Sequence, residues 1–240
     1  MAHNTYNSGF YSENQESSYR SAKRVVPLVC DLISPASVVD VGCGSGAWLK
    51  AFSESGVAQI RGVDGPWVKP DSLLIKPEVF QCQNLEDGFA LGERFDLAVS
   101  LEVAEHLDNS FADEFVKQLT SLSDVVLFSA AIPHQGGTRH VNEQWQSWWA
   151  SKFKDHDYLP LDYLRPKIWE LEDVAFWFKQ NLFLYVKSER LQKEDLRQQA
   201  ALQDDLIVMD IVHPRLYLPK ARNVEKMNRL IPGFLKKLFS

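Results

Sequence analysis

One stretch constrains this chain more than any other: Val38-Val39-Asp40-Val41-Gly42-Cys43-Gly44-Ser45-Gly46-Ala47-Trp48. A buried β-strand runs into a glycine-rich turn and then into a helix. Glycines let the backbone bend sharply and approach a ligand with no β-carbon in the way. The first turn of the following helix presents free N–H groups. A turn of this kind suits a cofactor that contains a nucleoside. Two cofactor classes fit it. Gly42-x-Gly44-x-x-Ala47 satisfies the dinucleotide fingerprint in its G/A form, and Asp64 follows Gly44 by 20 residues, where an acidic side chain accepts from ribose hydroxyls. The spacing Asp40-x-Gly42-x-Gly44-x-Gly46 favours S-adenosylmethionine. Asp64 serves either.

From Ser37 onward, short apolar runs alternate with helical patterns. Residues 37–41, 59–63, 78–82, 95–100 and 125–129 read as five strands. Several are apolar without alternation, as in strands buried on both faces. Residues 109–122 carry Phe111, Phe115, Leu119 and Leu122 on one helical stripe. Ahead of the first strand, Tyr19, Ala22, Val26, Val29 and Ile33 mark an amphipathic helix that Pro27 kinks or restarts. Trp145, Trp148, Trp149 and Phe153 predict a helix whose aromatics pack on the sheet; Trp145, Trp148, Trp149 and Trp67 also suit stacking on a flat acceptor. Residues 158–164, a helix near 171–180 and residues 182–186 complete the sheet, the last two strands as an antiparallel pair. The class is α/β, with right-handed crossovers. Residues 188–204 are a polar helical extension, and 205–219, with Pro214 and Pro219, fit no element clearly.

At 240 residues the chain is long enough to bury a core without disulfide or metal staples. Cys30, Cys43 and Cys82 show no CxxC spacing, which speaks against zinc ribbons and disulfide frameworks. No apolar run is long enough for a membrane span, and the polar N-terminus lacks a signal-peptide core, so the expected location is cytoplasmic. The net charge of −6 is unevenly spread. Residues 220–240 set six basic side chains against Glu225 alone, a local +5, leaving −11 on the first 219 residues. An acidic body is a poor general binder of nucleic acid. The basic, amphipathic tail suits peripheral contact with an anionic membrane or a partner, and equally a solvated end.

Glu102, Glu105 and His106 form ExxEH. On a helix beginning after the fourth strand, positions i, i+3 and i+4 share one face. His134 and His140 follow the fifth strand at the same sheet edge, in a loop marked by Pro133 and Gly136-Gly137. Glu102, Glu105, His106 and His140 are oxygen and nitrogen donors that suit Mg²⁺, Mn²⁺ or Zn²⁺. The same groups serve metal-free proton removal, with His106, His134 or His140 as base and Glu105 orienting a ring. A purely structural role is the third reading.

Residues 38–48 with Gly62-Val63-Asp64-Gly65 resemble the class I S-adenosylmethionine-dependent methyltransferases, and Phe95-Asp96-Leu97-Ala98-Val99-Ser100-Leu101-Glu102-Val103-Ala104-Glu105-His106-Leu107 extends the likeness to the fourth strand. Ser129-Ala130-Ala131-Ile132-Pro133-His134-Gln135-Gly136-Gly137 and His140-Val141-Asn142-Glu143-Gln144-Trp145 further resemble a bacterial group acting on small molecules and glycans. The likeness runs over residues 10–186. It implies a Rossmann-like, seven-stranded, mostly parallel sheet with helices on both faces, a methyltransferase domain over residues 1–187 with an N-terminal capping helix, and an extension over 188–240. Gly42, Gly44 and Gly46 would line the methionine part with Asp40, and Asp64 would hold the ribose. Asn84 and Leu85 fall at adenine, although many relatives have Asp at the position of Asn84; Glu86 or Asp87 would substitute. Leu101 and Glu102 would lie beside the cofactor, with Gln15 and Tyr11 near its cap.

The ExxEH…H pattern also resembles small-RNA terminal and ubiquinone-pathway O-methyltransferases, in which a divalent ion holds the acceptor hydroxyls; His140 is the distant histidine. The expected activity is O-methylation of a sugar or related small hydroxyl acceptor. A metal-assisted RNA-terminal or quinone-type O-methyltransferase is the alternative, and an NAD-type oxidoreductase or a noncatalytic cofactor-binding protein stands in other classes.

Overall fold

A computed structural model describes residues 8–89, 91–193 and 208–230 of the chain. Seven strands form one sheet in the order β3-β2-β1-β4-β5-β7-β6. They are β1 (Ser37–Val41), β2 (Gln59–Asp64), β3 (Phe80–Cys82), β4 (Leu97–Leu101), β5 (Val125–Ser129), β6 (Tyr158–Leu161) and β7 (Phe183–Lys187). β7 runs antiparallel to both β5 and β6, while the pairs among β1 to β5 are parallel. The expected α/β class and the antiparallel final pair are both present.

Each interior strand is apolar on both faces because helices cover both. On one face Val38, Leu97, Val99, Leu127 and Leu184 meet α1 (Ser8–Ile33), α2 (Ala47–Glu54), α5 (Arg165–Ile168) and α6 (Phe176–Asn181) through Val26, Phe52, Ile168 and Phe178. On the other, Val39, Val41, Val126, Phe128 and Tyr185 meet α3 (Ala112–Leu122) and α4 (Gln146–Lys154) through Phe115, Leu119, Trp149 and Phe153. Burial of such side chains contributes roughly 1.5–3 kcal/mol each relative to exposure. Trp149 lies 5.2 Å from Phe128 between ring centroids, so the packing reading of this tryptophan helix holds for it. Trp145 and Trp67 are exposed.

Several boundaries depart from the sequence expectations. α1 passes through Pro27 without a break. Residues 77–79 form a 3₁₀ turn, and only Phe80–Cys82 pair with β2. Residues 109–111 are likewise 3₁₀, and α3 begins at Ala112. The expected helix near 171–180 is confined to α6.

After β7 come α7 (Ser188–Lys193) and, further on, α8 (Pro214–Leu230). The rest of the predicted 188–204 helix and the tail beyond residue 230 lie outside the described residues. Among the described residues, no helix is long and apolar enough to cross a membrane.

Candidate active site

The order of strands reverses direction between β1 and β4, which opens a crevice at the carboxyl edge of the sheet. Asp40, Asp64 and Leu101 lie in the last residues of β1, β2 and β4, and most other candidates lie in the connections that follow the strands. After β1, the Gly42 N–H donates to Val63 O at 2.8 Å, and Gly46 caps α2 in a left-handed conformation. Gly44 has φ +53°, and a Cβ there would point into open space. That space is where a ligand can approach the bare backbone. The Asp64 carboxylate accepts from Gly44 N at 2.7 Å and from Gly65 N at 2.6 Å. Burial nevertheless holds its carboxyl above the usual range. Asp40 is buried beside it, and burial followed by the Asp64 charge pushes its carboxyl well up. This cradle fits a cofactor with a ribose and a cationic centre.

Over the turn, Leu74 N donates to Ser45 O at 2.8 Å, and Gln15 Nε2 donates to Ser72 O at 3.3 Å. The capping helix is therefore tied to the loop that crosses the glycines. The Tyr11 side chain lies outside the described part. After β3, Asn84 is spent locally, its Oδ1 accepting from Glu86 N at 3.4 Å. Leu85 is buried, while Glu86 and Asp87 are exposed.

The ExxEH segment is not an α-helix. Glu102 takes φ +56°, and Ala104–His106 make a single 3₁₀ turn. Left-handed backbone ends any regular continuation of β4 into a helix. Leu101 and Glu102 are half-buried. Glu102 turns to amides: Oε2 accepts from Gln135 Nε2 at 2.8 Å and Oε1 from Asn181 Nδ2 at 3.2 Å. Glu105 points elsewhere. It is fully buried, and neither carboxylate oxygen makes a well-formed hydrogen bond, although the main-chain groups of Glu105 and Ala131 lie near enough to offset part of its burial. Burial and then the Glu102 charge raise its carboxyl well above the usual range.

Glu105, His106 and His140 each offer a ligand atom, and these atoms lie within 4.8 Å of one another. His140 Nδ1 is 2.9 Å from Glu143 Oε1, and His106 Nδ1 is 3.4 Å from Arg139 O. A carbonyl accepts only, as does an ionised carboxylate, so both Nδ1 atoms carry a proton, and in a neutral ring so held Nε2 keeps the lone pair. Ring nitrogens held in this way are the usual support of metal-binding histidines. Gly137 leaves the space beside the His140 ring; a Cβ there would overlap it. A buried carboxylate with a ring nitrogen of each of two imidazoles within 4.8 Å fits a divalent cation. Glu102 does not join this group of three.

His134 is exposed, and its imidazole stands apart from the three. Its backbone N–H donates to Glu143 Oε2 at 2.6 Å, and Gly136 N donates to Glu143 Oε1 at 3.1 Å. Against burial, the His140 ring and these amides hold the Glu143 carboxyl below its usual range. Sequence reasoning gave Glu143 no role; its signal is the His140-x-x-Glu143 spacing. It also missed Gln135, Gln180 and Asn181, which carry no titratable group.

A family model described as a methyltransferase domain matches residues 12–165. A ubiquinone biosynthesis O-methyltransferase of Methylobacterium sp. (strain 4-46) is 31% identical over 90 residues, 34% of this chain and 34% of that protein. The chain thus aligns with about a third of that relative's length. A crystal structure of magnesium protoporphyrin IX methyltransferase from Synechocystis PCC 6803, with bound cofactor, superposes with a TM-score of 0.54 at 19% identity, over 77% of this chain and 87% of that one. Streptomyces venezuelae DesVI superposes with a TM-score of 0.55 at 15% identity, over 74% and 95%. At such identities the likeness speaks for the fold. The family match covers well over half of the chain and the whole glycine cradle, and on it the chain belongs to the methyltransferase-domain family, as a class I enzyme that uses S-adenosylmethionine.

Proposed function

We propose that the enzyme methylates one hydroxyl of a neighbouring pair on a small acceptor, with Glu105, His106 and His140 holding a divalent cation. The observation that carries this reading is the Glu105 carboxylate, buried without a well-formed hydrogen bond and within 4.8 Å of a ring nitrogen of each of two imidazoles. Such an ion would supply Lewis acidity, holding the acceptor hydroxyls and lowering their pKa. The chain's own groups do the rest. The glycine turn and Asp64 fix the methyl donor, Glu143 orients His140, and Glu102 lies just past β4 at the donor edge. The transfer moves a methyl from the sulfonium to the acceptor oxygen in line; the hydroxyl proton passes to solvent water, and the neutral thioether is released. Positioning supplies much of the acceleration in such a displacement.

Three acceptor classes bear adjacent hydroxyls: saccharides, catechol-like quinone precursors and the terminal ribose of an RNA. The likeness to a ubiquinone biosynthesis O-methyltransferase favours the phenolic class. The saccharide class rests on the sequence resemblance to glycan-modifying enzymes. Methyl transfer from labelled cofactor should be screened against dihydroxybenzoates, nucleotide sugars, oligosaccharides and short RNAs, with and without Mn²⁺. Transfer that depends on Mn²⁺ and disappears in Glu105→Ala is expected. Full activity in EDTA and in Glu105→Ala would overturn the metal reading, and titration that finds NADH bound but not S-adenosylhomocysteine would overturn the activity itself.

A further inference from the structure

Residues 208–213 form a strap that runs from beyond α7 back to the carboxyl edge of the sheet, and its fastenings are unusually complete. Arg165, 2% exposed, donates to Val208 O at 2.9 Å and to Met209 O at 2.8 Å, while Asp162 and the Phe183 ring hold the guanidinium in place. Asp210 accepts from Ser147 N at 2.8 Å and Ser147 Oγ at 2.7 Å, in the first turn of α4. Gln146 Nε2 donates to Ile211 O at 3.1 Å. His213 is buried against Trp169. None of these fastenings touches Glu102.

From the strap a relay of amides leads inward. His213 N–H donates to Gln180 Oε1 at 2.9 Å. A main-chain N–H only donates, so the Gln180 oxygen must face the strap and its Nε2 must face inward. That Nε2 donates to Gln135 Oε1 at 2.7 Å, and Asn181 Nδ2 donates to the same oxygen at 2.9 Å. With its oxygen so engaged, Gln135 presents Nε2 to Glu102 Oε2 at 2.8 Å. Each amide is oriented by a neighbour that has one hydrogen-bonding sense. The chain of orientation starts at a backbone N–H and ends at a carboxylate.

We infer that residues 208–213 position the Glu102 carboxylate at the methyl-transfer site, acting through Gln180 and Gln135. Without His213 N–H, the Gln180 amide is free to turn over and set oxygen against oxygen at Gln135, whose oxygen then keeps only Asn181 Nδ2 at 2.9 Å and the long Ile132 N–H contact at 3.4 Å, a looser hold on the amide that faces Glu102. Gln180, Asn181 and the strap all lie beyond the family-matched residues. The inference rests on Glu102 lying at the transfer site and is independent of any bound ion.

Full-length protein labelled with ¹⁵N-glutamine gives a side-chain amide signal for Gln135, assigned by its loss in Gln135→Met. Solvent exchange of that signal reports the relay. In the wild type it should be slow. In the double variant Asp210→Ala, Gln146→Met, which releases the strap from α4 and also removes the Gln146 bond to the Gln180 main-chain carbonyl at 3.1 Å, it should quicken at least tenfold, with affinity for S-adenosylhomocysteine within threefold of wild type. Gln180→Met cuts the relay while leaving the Arg165 and Asp210 fastenings, and should quicken exchange equally with Arg215 still resistant to trypsin. Unchanged exchange in Gln180→Met overturns the inference, and so does unchanged exchange in a double variant that trypsin cuts at Arg215. Joint loss of Gln135 order and cofactor affinity also overturns it, because that is general unfolding. Failure of the wild type to bind S-adenosylhomocysteine strikes the cofactor reading alone, since exchange is read without cofactor.

Discussion

The Gly44 N–H donates to the Asp64 carboxylate at 2.7 Å, joining two residues 20 positions apart. The end of β2 thereby shapes the turn after β1 before any cofactor arrives. Replacing the carboxylate removes both that brace and the acceptor for ribose hydroxyls. A hydrogen bond to a charged group is worth about 1.5–3 kcal/mol. Asp64→Ala should therefore weaken S-adenosylhomocysteine binding by about 10- to 150-fold in calorimetric titration. Affinity within twofold of wild type would remove Asp64 from the cofactor site.

Gly44 separates a binding cost from a folding cost. Its left-handed φ strains any side chain, yet a Cβ would meet no protein atom. Gly44→Ala should lower stability by only about 1 kcal/mol. The methyl group would stand in the cofactor's space, so binding of S-adenosylhomocysteine should fall much further than the melting temperature suggests. A variant that melts early but binds normally would contradict this.

The sign of the pH effect at Asp40 follows from its raised carboxyl pKa in the fold. The folded protein holds that proton more tightly than the unfolded chain, whose carboxyl titrates near its ordinary value of about 3.9. Stability contributed by Asp40 is then lost as pH rises from the unfolded pKa through the folded one. Asp40→Asn does not titrate. It should melt above the wild type at pH 7.5, and the gap should shrink as pH falls toward 5. A gap independent of pH would show that the carboxyl is not penalised by its burial.

At Glu105, function and stability oppose each other. Gln in its place removes a buried, unpartnered charge that costs the apo fold. Glu105→Gln should raise the melting temperature in EDTA. Added Mn²⁺ should raise the wild-type melting temperature in a concentration-dependent way and leave the variant unmoved. An equal Mn²⁺ response in both proteins would exclude Glu105 as a ligand.

The cofactor half of the site was legible because its chemistry is contiguous. Val38 to Trp48 write strand, turn and helix in order, and Asp64 ends the next strand. The acceptor half was harder. The i, i+3, i+4 spacing of Glu102, Glu105 and His106 suggested one helical face, but the left-handed turn at Glu102, φ +56°, parts its side chain from the other two. Glu105 and His106 still converge with His140 within 4.8 Å, while Glu102 swings to Gln135 and Asn181. His140 was found because imidazole is scarce and chemically loud. Gln135, Gln180 and Asn181 are neutral amides up to 46 residues apart, brought together where β7 inserts beside β5. No local pattern marks such a meeting.

Arg165 also fixes an order of events during synthesis. Its carbonyl partner Met209 lies 44 residues further along the chain, as the last-made part of its shell. The strands, glycine turn and Asp64 of the methyl-donor cradle leave the ribosome long before that partner does, yet a domain folds as a unit. A nascent chain paused short of residue 208 thus carries every residue of its donor cradle while one guanidinium waits for carbonyls that have not yet been made.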